Sequence, residues 1–77
     1  MADLTARQRQ VFQAIVRCIH DGLPPTYREL CDELGFKSTN GAADHVRVLI
    51  EKGLLEKLPN RARALSLTAA GRDEVYR

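Results

Sequence analysis

Ser38, Thr39, Asn40, Gly41, Ala43 and Asp44 stand within seven consecutive positions of a 77-residue chain. Their side chains offer hydroxyl, amide and carboxylate groups on short stems, and the glycine and alanine leave room for a close approach. The chemistry such a set supports is recognition by hydrogen bonding. An asparagine such as Asn40 can pair in bidentate fashion with adenine, a serine such as Ser38 suits several bases, and Asp44 can accept from the amino group of cytosine. An equal alternative for Asp44 is a favourable charge near a helix N-terminus. Around this run stand Arg28, Lys37, Arg47, Lys52, Lys57, Arg61 and Arg63, cations of the kind that contact backbone phosphate and position a protein without reading sequence. For each of them the alternative is an exposed charge with no partner. Arg61, expected at a hairpin tip, is the strongest phosphate candidate of the group.

Other chemistries find little here. His20 and His45 are far apart, and Cys18 and Cys31 are thirteen residues apart without a Cys-x-x-Cys pair. No metal site is expected from that spacing, and no cofactor. The two cysteines fall at apolar helical positions and are expected to be reduced core thiols of a cytoplasmic protein. For His45 the options are a phosphate contact or packing against the turn. No paired carboxylates, activated nucleophile or phosphate-binding loop is present, so no enzymatic activity is expected. The formal net charge is only +2, but Lys37 to Arg63 holds six positive and three negative residues. That excess suits a face turned toward a polyanion, and an ordinary solvated surface would look the same. No apolar run is long enough to span a membrane and the N-terminus has no apolar signal core.

The elements that must hold the recognition run can be read from caps and periodicity. Thr5 and Gln8 form a capping box for a first helix, with Val11, Phe12, Ile15, Cys18 and Ile19 on one face and Gly22 at its end. Thr26 and Glu29 form a second box, and Gly35 stops that helix after about two turns, with Leu30, Cys31 and Leu34 buried. Phe36 is expected to plug the corner. Ser38 or Thr39 caps a third helix whose inner stripe is Ala42, Val46, Leu49 and Ile50. Its opposite face carries Asn40, Gly41, Ala43, Asp44, Arg47 and Glu51. After Gly53 the period shortens: residues 54–58 and 63–67 read as strands around a turn at 59–62. Thr68 caps a last helix from Ala69 to about Tyr76, weakened and frayed by Gly71. The fold class is mainly α with a small β-hairpin. It is a winged helix-turn-helix of one domain (residues 1–77), with a three-helix core, a two-stranded wing and a short C-terminal helix. Such a layout presents the third helix to a DNA major groove.

Leu4-Thr-Ala-Arg-Gln8, Val11-Phe12, Gly22-Leu-Pro-Pro-Thr26, Leu34-Gly-Phe-Lys-Ser38, Asn40, His45 and Lys52-Gly53 closely resemble the N-terminal DNA-binding domain of the LexA repressor family. The resemblance runs from about residue 4 to residue 67. It implies a domain that binds a palindromic operator and represses DNA-damage-response genes, with Ser38, Asn40, Gly41, Ala43 and Asp44 at the base-facing positions. Three departures stand out. The 77 residues include no Ser-Lys self-cleaving peptidase domain, which in the family also dimerises, so a switch of that kind is not expected. Ala43 stands where the enterobacterial form has an acidic residue, and Gly41 where it has alanine, so a changed operator is expected. Leu67-Thr-Ala-Ala-Gly-Arg72 resembles the end of a free-standing winged helix. That favours a small regulator over a fragment of a longer repressor, with both open.

The expected function is therefore sequence-specific double-stranded DNA binding that regulates transcription by occupying an operator. The chain should be a monomer in dilute solution that pairs weakly on DNA. The alternative from another class is a protein-interaction module, a small phage-like winged helix acting on a host regulator.

Overall fold

The computed structural model describes residues 3–59 and 65–76. Thr5 starts α1 (Ala6–His20): its hydroxyl accepts from the Gln8 N–H at 3.1 Å, and Gln8 Oε1 accepts from the Thr5 N–H at 3.0 Å. Thr26 and Glu29 repeat this reciprocal box at the start of α2 (Tyr27–Leu34), at 3.1 and 2.9 Å. Each box satisfies N–H groups that helix geometry leaves open. Gly35 ends α2 in the left-handed conformation, φ 77°, with its N–H bonded to the Cys31 carbonyl. A Cβ would strain that corner. After it, α3 spans Thr39–Glu51, β1 Leu55–Lys57, β2 Leu65–Leu67 and α4 Ala69–Val75. The strands pair antiparallel, Leu55 opposite Leu67 and Lys57 opposite Leu65. The order is that of a winged helix-turn-helix, with the hairpin as wing.

One core joins these elements. Val11, Phe12, Ala14 and Ile15 come from α1, Leu30 from α2, and Ala42, Val46 and Leu49 from α3; Leu54, Leu55 and Leu65 close it beneath the wing. Full burial of one such aliphatic side chain contributes roughly 1.5–3 kcal/mol, so this cluster is the main source of stability in a small domain.

Three expectations need correction. Strand β1 is shorter than residues 54–58 because the Leu54 N–H bonds to the Leu49 carbonyl and closes α3 instead. Ser38 occupies the N-cap position of α3, but neither it nor Thr39 makes a side-chain cap bond; the Gly41 N–H is taken by the Ser38 carbonyl at 3.2 Å. The cysteines are half-buried rather than core: Cys31 lies against the core edge and donates to the Ser38 carbonyl, and Cys18 lies outside it. Burial, with the nearby Glu33 carboxylate adding to it, pushes the Cys18 thiol above its ordinary value, so it stays protonated at neutral pH.

In α4, the glycine expected as a helix weakness also makes a tertiary contact. Gly71 is buried, and a Cβ built on it would lie 2.1 Å from the Leu54 carbonyl oxygen. The glycine is thus the contact that lets α4 dock on the base of the wing. Thr68 supports the same junction: its hydroxyl accepts from the Gly71 N–H at 2.9 Å and donates to the Gly53 carbonyl at 2.5 Å. Glu74, 7% exposed, ties α4 to α1 through Arg9 at 3.3 Å. Gly71→Ala should gain about 1 kcal/mol of helix propensity and lose more than that to overpacking, which typically costs about 1–3 kcal/mol. Urea denaturation should show a net loss of stability; an unchanged or raised midpoint would refute the close-approach account.

Candidate nucleic-acid interface

Complete burial of Ala42, Val46 and Leu49 sets the rotation of α3. With 3.6 residues per turn, the face opposite that stripe must carry Asn40, Asp44, Arg47 and Glu51. All four are exposed, as are Ser38 and Thr39 at the helix start. The first two turns therefore present a hydroxyl pair, an amide and a carboxylate to solvent. Its N–H groups also differ in setting from those of the other three helices. Thr5, Thr26 and Thr68 cap α1, α2 and α4 with their side chains, whereas α3 has no side-chain cap. The positive end of the α3 dipole is left open to an acceptor.

Gly41 and Ala43 sit at the flanks of this face and are half-buried. Gly41 turns toward the corner: a Cβ there would lie 3.2 Å from Phe36 Cδ1. His45 packs on the turn, its ring 5.1 Å from that of Phe36 and its Nδ1 3.0 Å from the Gly41 carbonyl. Phe36 itself is half-buried against the core edge, as expected of a corner plug.

The charges on the face compensate one another. Arg47 Nη2 donates to Asp44 Oδ1 at 2.8 Å, and Arg47 Nε lies 4.0 Å from Glu51 Oε1. The expected base-reading acid and a phosphate-contacting base are thus partners. With side chains 61% and 68% exposed, their pair is screened and weak, so it can re-sort when a ligand arrives. Lys52 donates to the Asp3 carbonyl at 2.8 Å, and Lys57 lies 5.9 Å over the Tyr27 ring. Arg28 and Lys37 are exposed and have no ion pair among the described residues. Arg61 and Arg63 lie outside the described residues, so the wing-tip expectation stays with the sequence.

The chemistry available on the outward face of α3 is hydrogen bonding and charge. No group of three or more metal-ligating side chains occurs among the described residues. A groove of about 290 Å³ between α1 and α4 takes no lining residue from α3. No described helix is long and apolar enough to cross a membrane.

A family profile described as "LexA DNA binding domain" matches residues 1–64. The chain belongs to that family. It is 43% identical over 75 residues to the LexA repressor of Shewanella sediminis (strain HAW-EB3), covering 96% of this chain and 36% of that protein. It is 44% identical over 77 residues to the LexA repressor of Paraburkholderia phytofirmans, covering 99% of this chain and 36% of the relative. The LexA repressor of Ralstonia pickettii is 44% identical over 72 residues, covering 92% and 33%. The chain thus spans about a third of the length of the relatives it matches. The family expected from the N-terminal motifs is the one found.

Because the Asp44–Arg47 pair is exposed, a double-mutant cycle on unfolding stability should give a coupling of roughly 0.2–1 kcal/mol at low salt. It should fade at 1 M salt. A larger, salt-independent coupling would show the pair to be a fixed structural element, unable to re-sort.

Proposed function

We propose that these 77 residues act as one domain that binds double-stranded DNA with sequence preference and represses transcription by occupying a palindromic operator. In this reading α3 enters the major groove. Ser38, Thr39, Asn40, Ala43 and Asp44 face the bases, Gly41 at the flank turns toward Phe36 instead, and Arg28, Lys37, Arg47, Lys52, Arg61 and Arg63 meet phosphate. The observation that carries it is the outward stripe of α3, with Asn40 and Asp44 exposed beside an uncapped helix N-terminus in a family of DNA-binding domains. Small polar side chains there allow close approach to base edges, and the cations around them supply the salt-dependent part of the affinity. By its kinship with LexA repressors, the regulated genes are those of the DNA-damage response. The protein-interaction alternative draws no support from the relatives. Nothing in the reading calls for catalysis or a cofactor, and it places the domain in the cytoplasm.

Asp44 has a double part to play. While it holds Arg47 it withholds one cation from phosphate; released, it accepts from a base and frees the guanidinium. Binding then replaces one weak intramolecular pair by two intermolecular contacts.

Selection of bound duplex from a random pool, followed by titration at two salt concentrations, tests the whole reading. A consensus with two half-sites and steep salt dependence is expected. Binding without preference or salt dependence would favour the interaction module. On the selected duplex, Asn40→Ala should cost about 1–3 kcal/mol and relax base choice at one position. Arg28→Ala should weaken all duplexes alike and reduce the salt slope by about 1. If neither change alters binding, the docking of α3 is wrong.

We also propose that the chain is a monomer in dilute solution and pairs only on DNA. Sedimentation at micromolar concentration should give a monomer mass, and a stable free dimer would refute this.

A further inference from the structure

Arg7 lies on α1, outside the helix-turn-helix, and none of the proposed DNA contacts involves it. Its guanidinium nevertheless reaches the turn at two points. Nη2 donates to the Leu34 carbonyl at 2.9 Å, and the guanidinium carbon stands 4.4 Å from the centre of the Phe36 ring. Nη1 donates to Gln10 Oε1 at 2.8 Å, which holds the fork in place. Leu34 is the last residue of α2, so its carbonyl has no partner within the helix. Phe36 in turn touches the first two turns of α3 twice. Its ring stacks tilted against His45, and its Cδ1 faces the bare Cα of Gly41. His45 closes the path at the Gly41 carbonyl.

We infer that Arg7 is a positioning residue for sequence recognition, setting the first turn of α3 through Phe36 and His45. The inference rests on the DNA-binding reading given above. One guanidinium grips the end of α2 and the aromatic of the turn together. The aromatic bears on Gly41 and His45, which flank the turn that displays Asn40. The angle between α2 and α3, and with it the reach of Asn40 and Ser38 toward a base edge, follows from that contact. Geometry of this kind needs a planar, forked cation. A lysine ammonium keeps the charge but cannot lie flat on the ring, and as a point donor on a flexible stem it lacks the fixed fork that joins the Leu34 carbonyl to Gln10. Gly41 fits the same account, since any larger residue there must move the Phe36 ring.

The test compares the full chain with Arg7→Lys and Arg7→Gln, after thermal melts confirm folding. Each binds the selected duplex and a scrambled one across a salt series. Loss of the ring and carbonyl contacts in Arg7→Lys should lower the preference for the selected duplex about fivefold to tenfold. The salt slope should stay at the wild-type value, because the charge is kept. In free protein, the NMR signals of the His45 ring and of the Thr39, Asn40 and Gly41 amides should shift in both variants. Wild-type preference with unmoved signals in Arg7→Lys would overturn the inference. So would equal weakening on both duplexes by Arg7→Gln with a reduced salt slope and a normal Arg7→Lys, since Arg7 would then be a phosphate contact. Wild-type protein without sequence preference would instead sink the DNA-binding reading; the NMR comparison would still decide whether Arg7 sets the first turn of α3.

Discussion

Ala42, Val46 and Leu49 are wholly withdrawn from water, and the character of α3 follows from that burial. A helix has only one rotation that places three such residues inward. Once it is taken, Asn40, Asp44, Arg47 and Glu51 have no alternative to solvent. The apolar stripe is therefore what aims the polar one. The rest of the domain serves the stripe: α1 brings Val11, Phe12, Ala14 and Ile15 to the core around it, Leu30 comes from α2, and the leucines of the wing close its lower end. In a domain this small, the same few side chains supply both stability and aim.

Electrostatics on the outward face works differently from the core beneath it. Arg47 stands between two carboxylates of its own helix, so the free face presents little net charge. Exposed pairs of this kind contribute little to stability. The exposed cations Arg28 and Lys37, by contrast, lie off α3 and have no ion pair among the described residues.

Two junctions hold the helix-turn-helix and the wing to the rest of the fold, and both depend on residues outside them. At one end, Arg7 of α1 binds the end of α2 and the ring of Phe36. At the other, Gly71 lets α4 approach the Leu54 carbonyl, and the Glu74–Arg9 pair ties the same helix to α1. The wing is thus anchored at its base by a close backbone contact, which a helix with any larger residue at 71 could not make.

Much of this was legible in the sequence, and for physical reasons. Capping boxes are local, with donor and acceptor three residues apart, so Thr5–Gln8 and Thr26–Glu29 announce two helix starts unaided. The inner stripe of α3 is a matter of period, which is why Ala42, Val46 and Leu49 could be placed inside and Asn40, Asp44 and Arg47 outside. Kinship with LexA repressors lies in the same N-terminal motifs. Contacts between distant segments were not legible. Ser38 has the residue type of a cap yet makes no cap bond, because its carbonyl, not its hydroxyl, meets Gly41. Gly71 reads as a helix weakness until Leu54 is seen above it. Nothing local to Arg7 marks its contacts until the fold brings Leu34 and Phe36 to it. Local hydrogen bonding and periodicity were determined by the chain alone; which residues meet across 17 to 29 positions of sequence was decided only when burial of the core brought the helices together.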